Sequence, residues 1–351
     1  MKFAPLAAAL AAVSSLPAYA ADPSECRAIA DKEARLACYD AAVGRADAVP
    51  TPAPAPAAAA APATDKRQLF AADEDAPQTF AQRWELDPDS KDGVFKIKPY
   101  EPVYVLPASW RQHVNNRPCS SNPINCVPPS SPDPGYGHTE IKFQLSFKTK
   151  VWQDMFGSQA DLWAAYTQQS YWQAYDKTNS SPFRETDYQP ETWVTVPVAL
   201  GPDWFQLRMV NLGLVHQSNG QTNPLSRSWN RGYVAFGFTS GELSLLVKPW
   251  WRFKESLPDD NNPDITDYVG RMEVRAVYPW RNHVFSATLR NNLRSTPEIP
   301  NRTYIQTDWA FPLYGKLHGY VQAFYGYGES LQNYNFRNAG VGIGVSLVEW
   351  R

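Results

Sequence analysis

The feature that most constrains the fold is a series of short segments in which apolar and polar residues alternate. From Lys98 onward the chain divides into twelve such segments of roughly ten residues, the length that a tilted strand needs to cross a bilayer. The pattern is regular from Ile141 to Lys148. Because successive side chains of a strand point to opposite faces, it predicts a sheet with one apolar and one polar face.

The connections between these segments are either short or long. The predicted strands are residues 100–110, 140–152, 162–175, 192–200, 205–216, 229–239, 242–253, 268–278, 283–292, 303–311, 316–328 and 337–350. The short connections are 201–203, 240–241, 280–282 and 312–315, and the long ones are 111–139, 176–191, 217–228, 254–267 and 329–336. Short turns at one end and long loops at the other are typical of outer-membrane barrels. We therefore predict an all-β fold, a twelve-stranded antiparallel transmembrane β-barrel with a small N-terminal helical segment.

A water-soluble β-sandwich or barrel would show the same alternation, and the N-terminus favours the membrane barrel. Lys2, an apolar stretch and a small-x-small site ending at Ala20 are typical of a signal peptide at residues 1–20. The composition then predicts a helical periplasmic segment over 21–48, a Pro/Ala-rich linker over 49–67 and the barrel domain over 68–351. The turn pattern predicts that both chain ends lie on the periplasmic side.

The four cysteines of an exported chain can form disulfides. Three pairings are possible, and we favour Cys26–Cys38 with Cys119–Cys126. Twelve residues of straight helix span about 18 Å, and a disulfide allows a Cα separation of only about 7 Å. The first pair therefore requires the helical segment to fold back on itself. A zinc site is less favoured, because the spacing does not suit one and few histidines are nearby.

The charge balance does not indicate a nucleic-acid partner. The formal net charge is −2 and no basic run occurs, so we expect no binding to nucleic acid. The 13 tryptophans and 18 tyrosines suit the aromatic belts of a membrane protein as well as an ordinary core.

Three polar residues fall on the apolar side of two consecutive predicted strands. His216 and Ser218 share their parity with Leu214, and Asn230 shares its parity with Val234. In a membrane barrel this face meets lipid, where exposed polar groups cost free energy. His216 can deprotonate Ser218 for attack on an ester carbonyl, and Asn230 can orient the imidazole. Each residue alone is also compatible with ordinary polarity near a strand end.

Two longer strings extend this pattern. Val-His-Gln-Ser-Asn-Gly at 215–220 is followed by Pro-Leu-Ser-Arg-Ser-Trp-Asn-Arg at 224–231. Upstream are Tyr-Thr-Gln-Gln-Ser-Tyr-Trp-Gln at 166–173 and Ser-Ser-Pro-Phe-Arg-Glu-Thr-Asp-Tyr at 180–188. Together these strings resemble the signature of the bacterial outer-membrane phospholipase A family. The resemblance covers about residues 98–351.

The resemblance implies a calcium-dependent homodimeric barrel that hydrolyses both acyl esters of glycerophospholipids. By position it implies Ser218 as the nucleophile, His216 as the base and Asn230 as the residue that orients His216. The backbone N–H of Gly220 corresponds to an oxyanion donor.

The resemblance also implies a calcium site and a dimer contact. The ligands would be the Ser226 hydroxyl, the Gln221 backbone carbonyl and Ser180 from the second subunit, which are oxygen donors of the kind that Ca²⁺ prefers. Gln168 corresponds to a polar dimer-interface residue within the membrane, although a lumen-facing position stays open. Asn223 replaces an acidic residue of some relatives, which predicts weak calcium binding by the monomer.

The alternative function is a non-enzymatic outer-membrane pore or adhesin barrel. Its discriminating feature is the lumen, which paired charges would fill in a barrel of twelve strands. The candidates for inward side chains are Lys142, Lys148, Glu273, Arg275 and Arg290. Neither alternative accounts for the apolar parity of His216, Ser218 and Asn230.

Overall fold

A computed structural model describes residues 24–42 and 78–348. The chain divides into two compact units, residues 1–71 and 72–351. The predicted signal peptide, the linker and the last residues of the final predicted strand lie outside the described residues. None of the described helices is both long enough and apolar enough to span a bilayer.

The first unit contains a helical hairpin. A short 3-10 helix, Glu25–Ala28, precedes helix α1, Lys32–Ala42. The chain reverses between them, and a Cys26–Cys38 disulfide joins the two at a Cα separation of 5.6 Å. The predicted fold-back is therefore present, and the Cys119–Cys126 disulfide in the second unit completes the favoured pairing.

The second unit is a closed antiparallel barrel. Its strands are β2 (Val103–Arg111), β3 (Thr139–Trp152), β4 (Asp161–Trp172), β5 (Phe183–Leu200), β6 (Gln206–Ser218), β7 (Ser228–Ser240), β8 (Leu243–Phe253), β9 (Met272–Trp280), β10 (His283–Asn291), β11 (Thr303–Tyr314), β12 (Leu317–Tyr327) and β13 (Arg337–Val348). A two-residue strand β1, Lys98–Pro99, extends the edge of β3. Each strand pairs with its neighbour in sequence, and β13 pairs with β2. The predicted twelve-stranded all-β barrel is confirmed.

One predicted boundary was wrong by nine residues. The sequence predicts a long connection over 176–191 and a strand that starts at 192, but β5 already begins at Phe183. The polar residues Arg184, Glu185 and Asp187 are buried on the inner side of this strand. Their polarity reflects a lumen-facing position and not a loop. Smaller differences extend β6 to Ser218 and start β9 at Met272.

Charged side chains that are paired or hydrogen-bonded line the lumen. Lys142 and Lys148 are buried, and Glu273, Arg275 and Arg290 line the internal cavity. Arg275 Nη2 lies 2.7 Å from Glu273 Oε1, and Lys142 Nζ donates to Gln322 Oε1 over 2.6 Å. Burying a charge is tolerated only where it is paired or hydrogen-bonded, which these contacts provide.

A short helix lies against the inner wall at the end of the barrel that carries the short turns, which we call the short-turn end. The alternation pattern does not predict this helix. Helix α2, Phe80–Trp84, begins with a capping box in which Thr79 and Gln82 bond to each other's backbone. Trp84 stacks edge-on against Trp193, and Lys148 Nζ lies 4.4 Å above the Trp84 ring. The opposite end carries the longer connections, and we call it the long-loop end.

Candidate active site

The three candidate catalytic residues lie on the outer face of the barrel wall. In β6, Leu212 and Leu214 are 53% and 54% exposed, whereas Asn211 and Val215 on the other parity are buried. His216 continues the exposed row toward the long-loop end. Because side chains two residues apart share a face, Ser218 points to the same side at the last position of the strand.

The pairing of β6 with β7 places Asn230 beside His216. The two residues are direct Cα partners in the antiparallel ladder. His216 Nδ1 and Asn230 Oδ1 are 2.8 Å apart, a hydrogen bond in which the imidazole N–H donates to the amide oxygen. With Nδ1 protonated, Nε2 is the nitrogen that can accept a proton. This tautomer is the one that a general base requires.

The loop between β6 and β7, residues 219–227, follows directly after Ser218 and is held by one buried asparagine. Asn219 Oδ1 accepts from the backbone N–H groups of Gln221 and Arg227, at 3.3 and 2.9 Å. Its Nδ2 donates to the Leu225 carbonyl over 2.8 Å. Three backbone groups of a short loop are thereby tied to a single side chain, which limits the conformations open to Gly220.

Gly220 occupies a left-handed backbone position just after Ser218. Its φ is +63°, a left-handed value that glycine adopts without strain. A Cβ at this position would meet the Tyr188 ring at 3.0 Å, so a side chain would be crowded as well as strained. The Gly220 N–H meets no acceptor among the described residues. It is therefore a free donor two residues from Ser218.

The candidate calcium ligands are only partly assembled within one chain. Gln221 and Ser226 lie in the 219–227 loop, which contains hydroxyl and carbonyl oxygens and no carboxylate. Ser226 Oγ accepts from Asn261 Nδ2 over 3.0 Å. Asn223 Oδ1 is also engaged, since it accepts from Asn125 Nδ2 over 2.8 Å. No cluster of three or more His, Cys, Asp or Glu side chains suited to a metal occurs in the described ranges.

Ser180 lies in a different connection at the same end of the barrel. No hydrogen bond between described residues joins it to the 219–227 loop of its own chain. Its turn is shaped by Asp176, whose Oδ1 accepts from the backbone N–H of Asn179 over 3.1 Å and whose carbonyl accepts from Ser181 N over 2.7 Å. The hydrogen bonds from Asn179, its side chain first, lower the pKa of Asp176. The turn holds Ser180 at a left-handed φ of +60° and leaves it exposed.

Gln168 lies on the lipid-facing parity of β4. Trp163, Ala165 and Thr167 are buried on the other parity. The Cα partner of Gln168 in β3 is Leu145, which is 51% exposed on the outer face. The alternative of a lumen-facing Gln168 is therefore wrong.

Several residues that shape this site were not anticipated. Asn219 and Tyr188 act on Gly220, and the buried Arg227 donates to the carbonyls of Pro224 and Ser226 over 3.0 and 2.7 Å. The motif strings contain all of them, but their roles depend on contacts that only the folded loop creates.

Comparison with known proteins agrees with this architecture. The Phospholipase A1 family model matches residues 80–347. A protein of Neisseria meningitidis serogroup B, provisionally named a phospholipase A1, is 39% identical to this chain over 267 residues. The match covers 75% of this chain and 68% of that protein. Phospholipase A1 of Escherichia coli K12 is 37% identical over 210 residues, 59% of this chain and 69% of that protein.

Two solved structures share the fold. The outer membrane phospholipase A of Escherichia coli has a TM-score of 0.64 at 32% identity, covering 74% of this chain and 94% of that one. The outer membrane phospholipase of Salmonella typhi, a dimer with bound calcium, has a TM-score of 0.64 at 32% identity, covering 73% and 93%. A family match across most of the chain and these shared barrels show that the chain belongs to the phospholipase A1 family, the outer-membrane phospholipases A.

Proposed function

We propose that this protein is an outer-membrane esterase that hydrolyses the sn-1 and sn-2 acyl esters of glycerophospholipids. The observation that supports it most is the outward orientation of His216, Ser218 and Asn230, with a 2.8 Å hydrogen bond between the imidazole and the amide. A phospholipid beside the wall can present its ester carbonyl to this face. A water-filled lumen offers no such access, because these side chains point away from it.

The chemistry follows the usual course of a serine esterase. His216 Nε2 takes the proton of Ser218 as Oγ attacks the ester carbonyl. The imidazolium then gives that proton to the leaving lysophospholipid oxygen, and an acyl-enzyme remains. Water, deprotonated by His216, attacks the acyl-enzyme, and the fatty acid is released as His216 gives that proton to Ser218 Oγ. Asn230 holds the imidazole in position, and the Gly220 N–H donates to the oxyanion.

The residues of this chain fit calcium as a neutral oxygen site that one chain leaves incomplete. The Gln221 carbonyl and the Ser226 hydroxyl would hold the ion together with Ser180 of the partner subunit. When bound, the ion supplies positive charge that stabilises a developing oxyanion. Because the 219–227 loop has no carboxylate, we expect weak binding by the monomer and a stronger dependence of activity on dimerisation.

Dimerisation through the face that carries Gln168 would control the enzyme. The Gln168 amide accepts from the Tyr166 hydroxyl over 3.2 Å and donates to Ser170 Oγ over 3.3 Å. The hydrogen-bonding capacity that remains on this lipid-facing amide can be used by a second protein surface. Such control has a physical benefit, since an unregulated lipase would hydrolyse its own membrane. In the proposed orientation the signal peptide directs export, the N-terminus and short turns are periplasmic, and the active site lies at the outer leaflet.

The test is fatty-acid release from phosphatidylcholine micelles labelled at the sn-1 or the sn-2 chain. We expect calcium-dependent release of both labels, and loss of both in Ser218→Ala with the barrel and dimer retained. A serine-directed sulfonyl fluoride should label Ser218 in the dimer. Undiminished release by Ser218→Ala would overturn the proposed mechanism. A folded protein that neither labels nor releases fatty acid in calcium would favour the pore.

A further inference from the structure

The Asn230 amide has a second partner that extends the candidate catalytic row. Asn230 Nδ2 donates to Glu255 Oε1 over 2.9 Å, while its Oδ1 accepts from His216 Nδ1. The main chain explains this proximity. Asn230 pairs with Phe253 across β7 and β8, and Glu255 follows two residues later, at the start of the next long loop.

The carboxylate removes an ambiguity that an asparagine alone would leave. An amide can rotate by half a turn and exchange its oxygen for its NH₂ group at almost no steric cost. In the rotated state the NH₂ group would donate to His216 Nδ1, and Nε2 would then carry the proton. An ionised carboxylate only accepts hydrogen bonds, so Glu255 requires the NH₂ group to face it. The amide oxygen must then face His216, and Nε2 stays free to act as the base.

The position of Glu255 also gives its charge an electrostatic role. It is half-buried, and within the described ranges it forms no salt bridge with Lys, Arg or His. A negative charge one amide away from the imidazole favours the positive charge that His216 acquires when Ser218 attacks. Asparagine lacks the negative charge of the aspartate that usually holds the histidine in such triads. Glu255, the hydrogen-bond partner of Asn230 on the side away from His216, supplies that charge.

We propose that Glu255 is a positioning residue that acts through Asn230 to fix the tautomer of His216 and to stabilise its protonated form. This inference rests on the proposed esterase function. It extends the row of Ser218, His216 and Asn230 by a fourth group drawn from a separate long loop.

The test compares Glu255→Ala and Glu255→Gln with Asp259→Asn, a charge-matched control in the same exposed loop. For Glu255→Ala we expect kcat to fall by about tenfold with KM unchanged, in line with loss of a charge-assisted hydrogen bond. Glu255→Gln should lie between Glu255→Ala and the wild type, because it restores an acceptor without the charge. The control should match the wild type. The gel mobility of the folded barrel checks that each variant is intact. If Glu255→Ala does not fold, the comparison is made with Glu255→Gln.

A double-mutant cycle separates positioning from a structural effect. Asn230→Ala should lower kcat less than Ser218→Ala, because the amide only orients. In the Asn230→Ala background, a further Glu255→Ala change should have a smaller effect than in the wild type, because the link through the amide is gone and only the more distant charge remains. An equal loss in both backgrounds, or wild-type kcat in Glu255→Ala while Ser218→Ala is inactive, would overturn the role of Glu255 alone. Activity that survives Ser218→Ala would instead remove the proposed function itself.

Discussion

Polar side chains on the two faces of the barrel wall differ in how many partners they have. In the lumen, Arg184 lies between two carboxylates, 2.9 Å from Glu140 and 3.2 Å from Glu329. Glu140 in turn meets a second guanidinium, that of Arg111, at 3.3 Å. On the outer face, His216 has one hydrogen-bond partner among the described residues, at Nδ1. Arg184 and Glu140 thus each meet more than one partner of opposite charge, whereas the outer row leaves groups available to a ligand.

This difference separates stability from chemistry. A buried ion pair adds little net stability compared with apolar packing, but removing one partner leaves an uncompensated charge and is costly. An exposed polar residue on the lipid side can be removed without leaving a buried partner. Changes in the lumen should therefore affect folding, and changes in the outer row should affect turnover.

The largest expected effect is on turnover, in His216→Ala. Loss of the base should lower kcat/KM by about 10⁴-fold or more, because the serine hydroxyl is then not activated. The measurement is fatty-acid release together with the unfolding midpoint in detergent, which should stay near the wild-type value. His283→Ala is the matched control, since it removes an imidazole from the opposite end of the barrel. A similar loss of activity in both variants would contradict the assignment.

For Glu140→Ala, in the lumen, we expect the opposite: stability falls and turnover is retained. This change leaves Arg111 with Glu329 as its ion-pair partner and Arg184 with Glu329 and Glu185. It also removes the acceptor of Gln173 Nε2 at 2.8 Å. We expect unfolding to become easier by about 3–5 kcal/mol, the usual cost of breaking a buried pair. The measurement is urea unfolding in detergent, with kcat per folded molecule close to that of the wild type.

Glu298→Ala, in an exposed loop, is the control for loss of a carboxylate and should change stability by less than about 0.5 kcal/mol. If Glu140→Ala unfolded like the wild type but lost turnover, the division between the two faces would not hold.

The same contrast explains which parts of the structure could be predicted from the sequence. Alternation correctly assigned inner and outer sides wherever one face was apolar, and it therefore placed His216 and Ser218 on the outer side. It failed at β5, because a strand whose inner residues include Arg184 and Glu185 has the composition of a loop. Helix α2 has only five residues, too few for a helical period to appear.

The sequence motif predicts that the 219–227 loop belongs to the site, but it does not predict the contacts that hold the loop in place. Asn125 lies about a hundred residues from Asn223, yet its side chain bonds both Asn223 Oδ1 and the Ser226 carbonyl. Glu255 belongs to a third segment, and no local pattern connects it to Asn230. Hydrogen bonds between distant loops depend on strand register, which alternation alone does not determine.

The smallest effect is expected for Asn223→Asp in the 219–227 loop. This change would introduce a carboxylate, a group that the lumen contains and this loop lacks. The introduced carboxylate can keep the hydrogen bond from Asn125 Nδ2, because a carboxylate oxygen accepts as the amide oxygen does. The change adds one negative charge to a loop of neutral oxygens. Calcium affinity rises with the number of charged ligands, so we expect the monomer to bind calcium about tenfold more tightly.

Calcium titration of detergent-isolated monomer measures this affinity directly, without relying on activity. Asn301→Asp places the same charge in another long loop and should leave the affinity unchanged, because exposed charges at a distance are screened by salt. If Ser180 of the partner subunit is a ligand as proposed, a tighter site in each monomer depends less on it, and Asn223→Asp should also reach full activity at lower protein concentration. Tight calcium binding by the wild-type monomer would show that the neutral loop is sufficient, and the expected dependence on the second subunit would then be wrong.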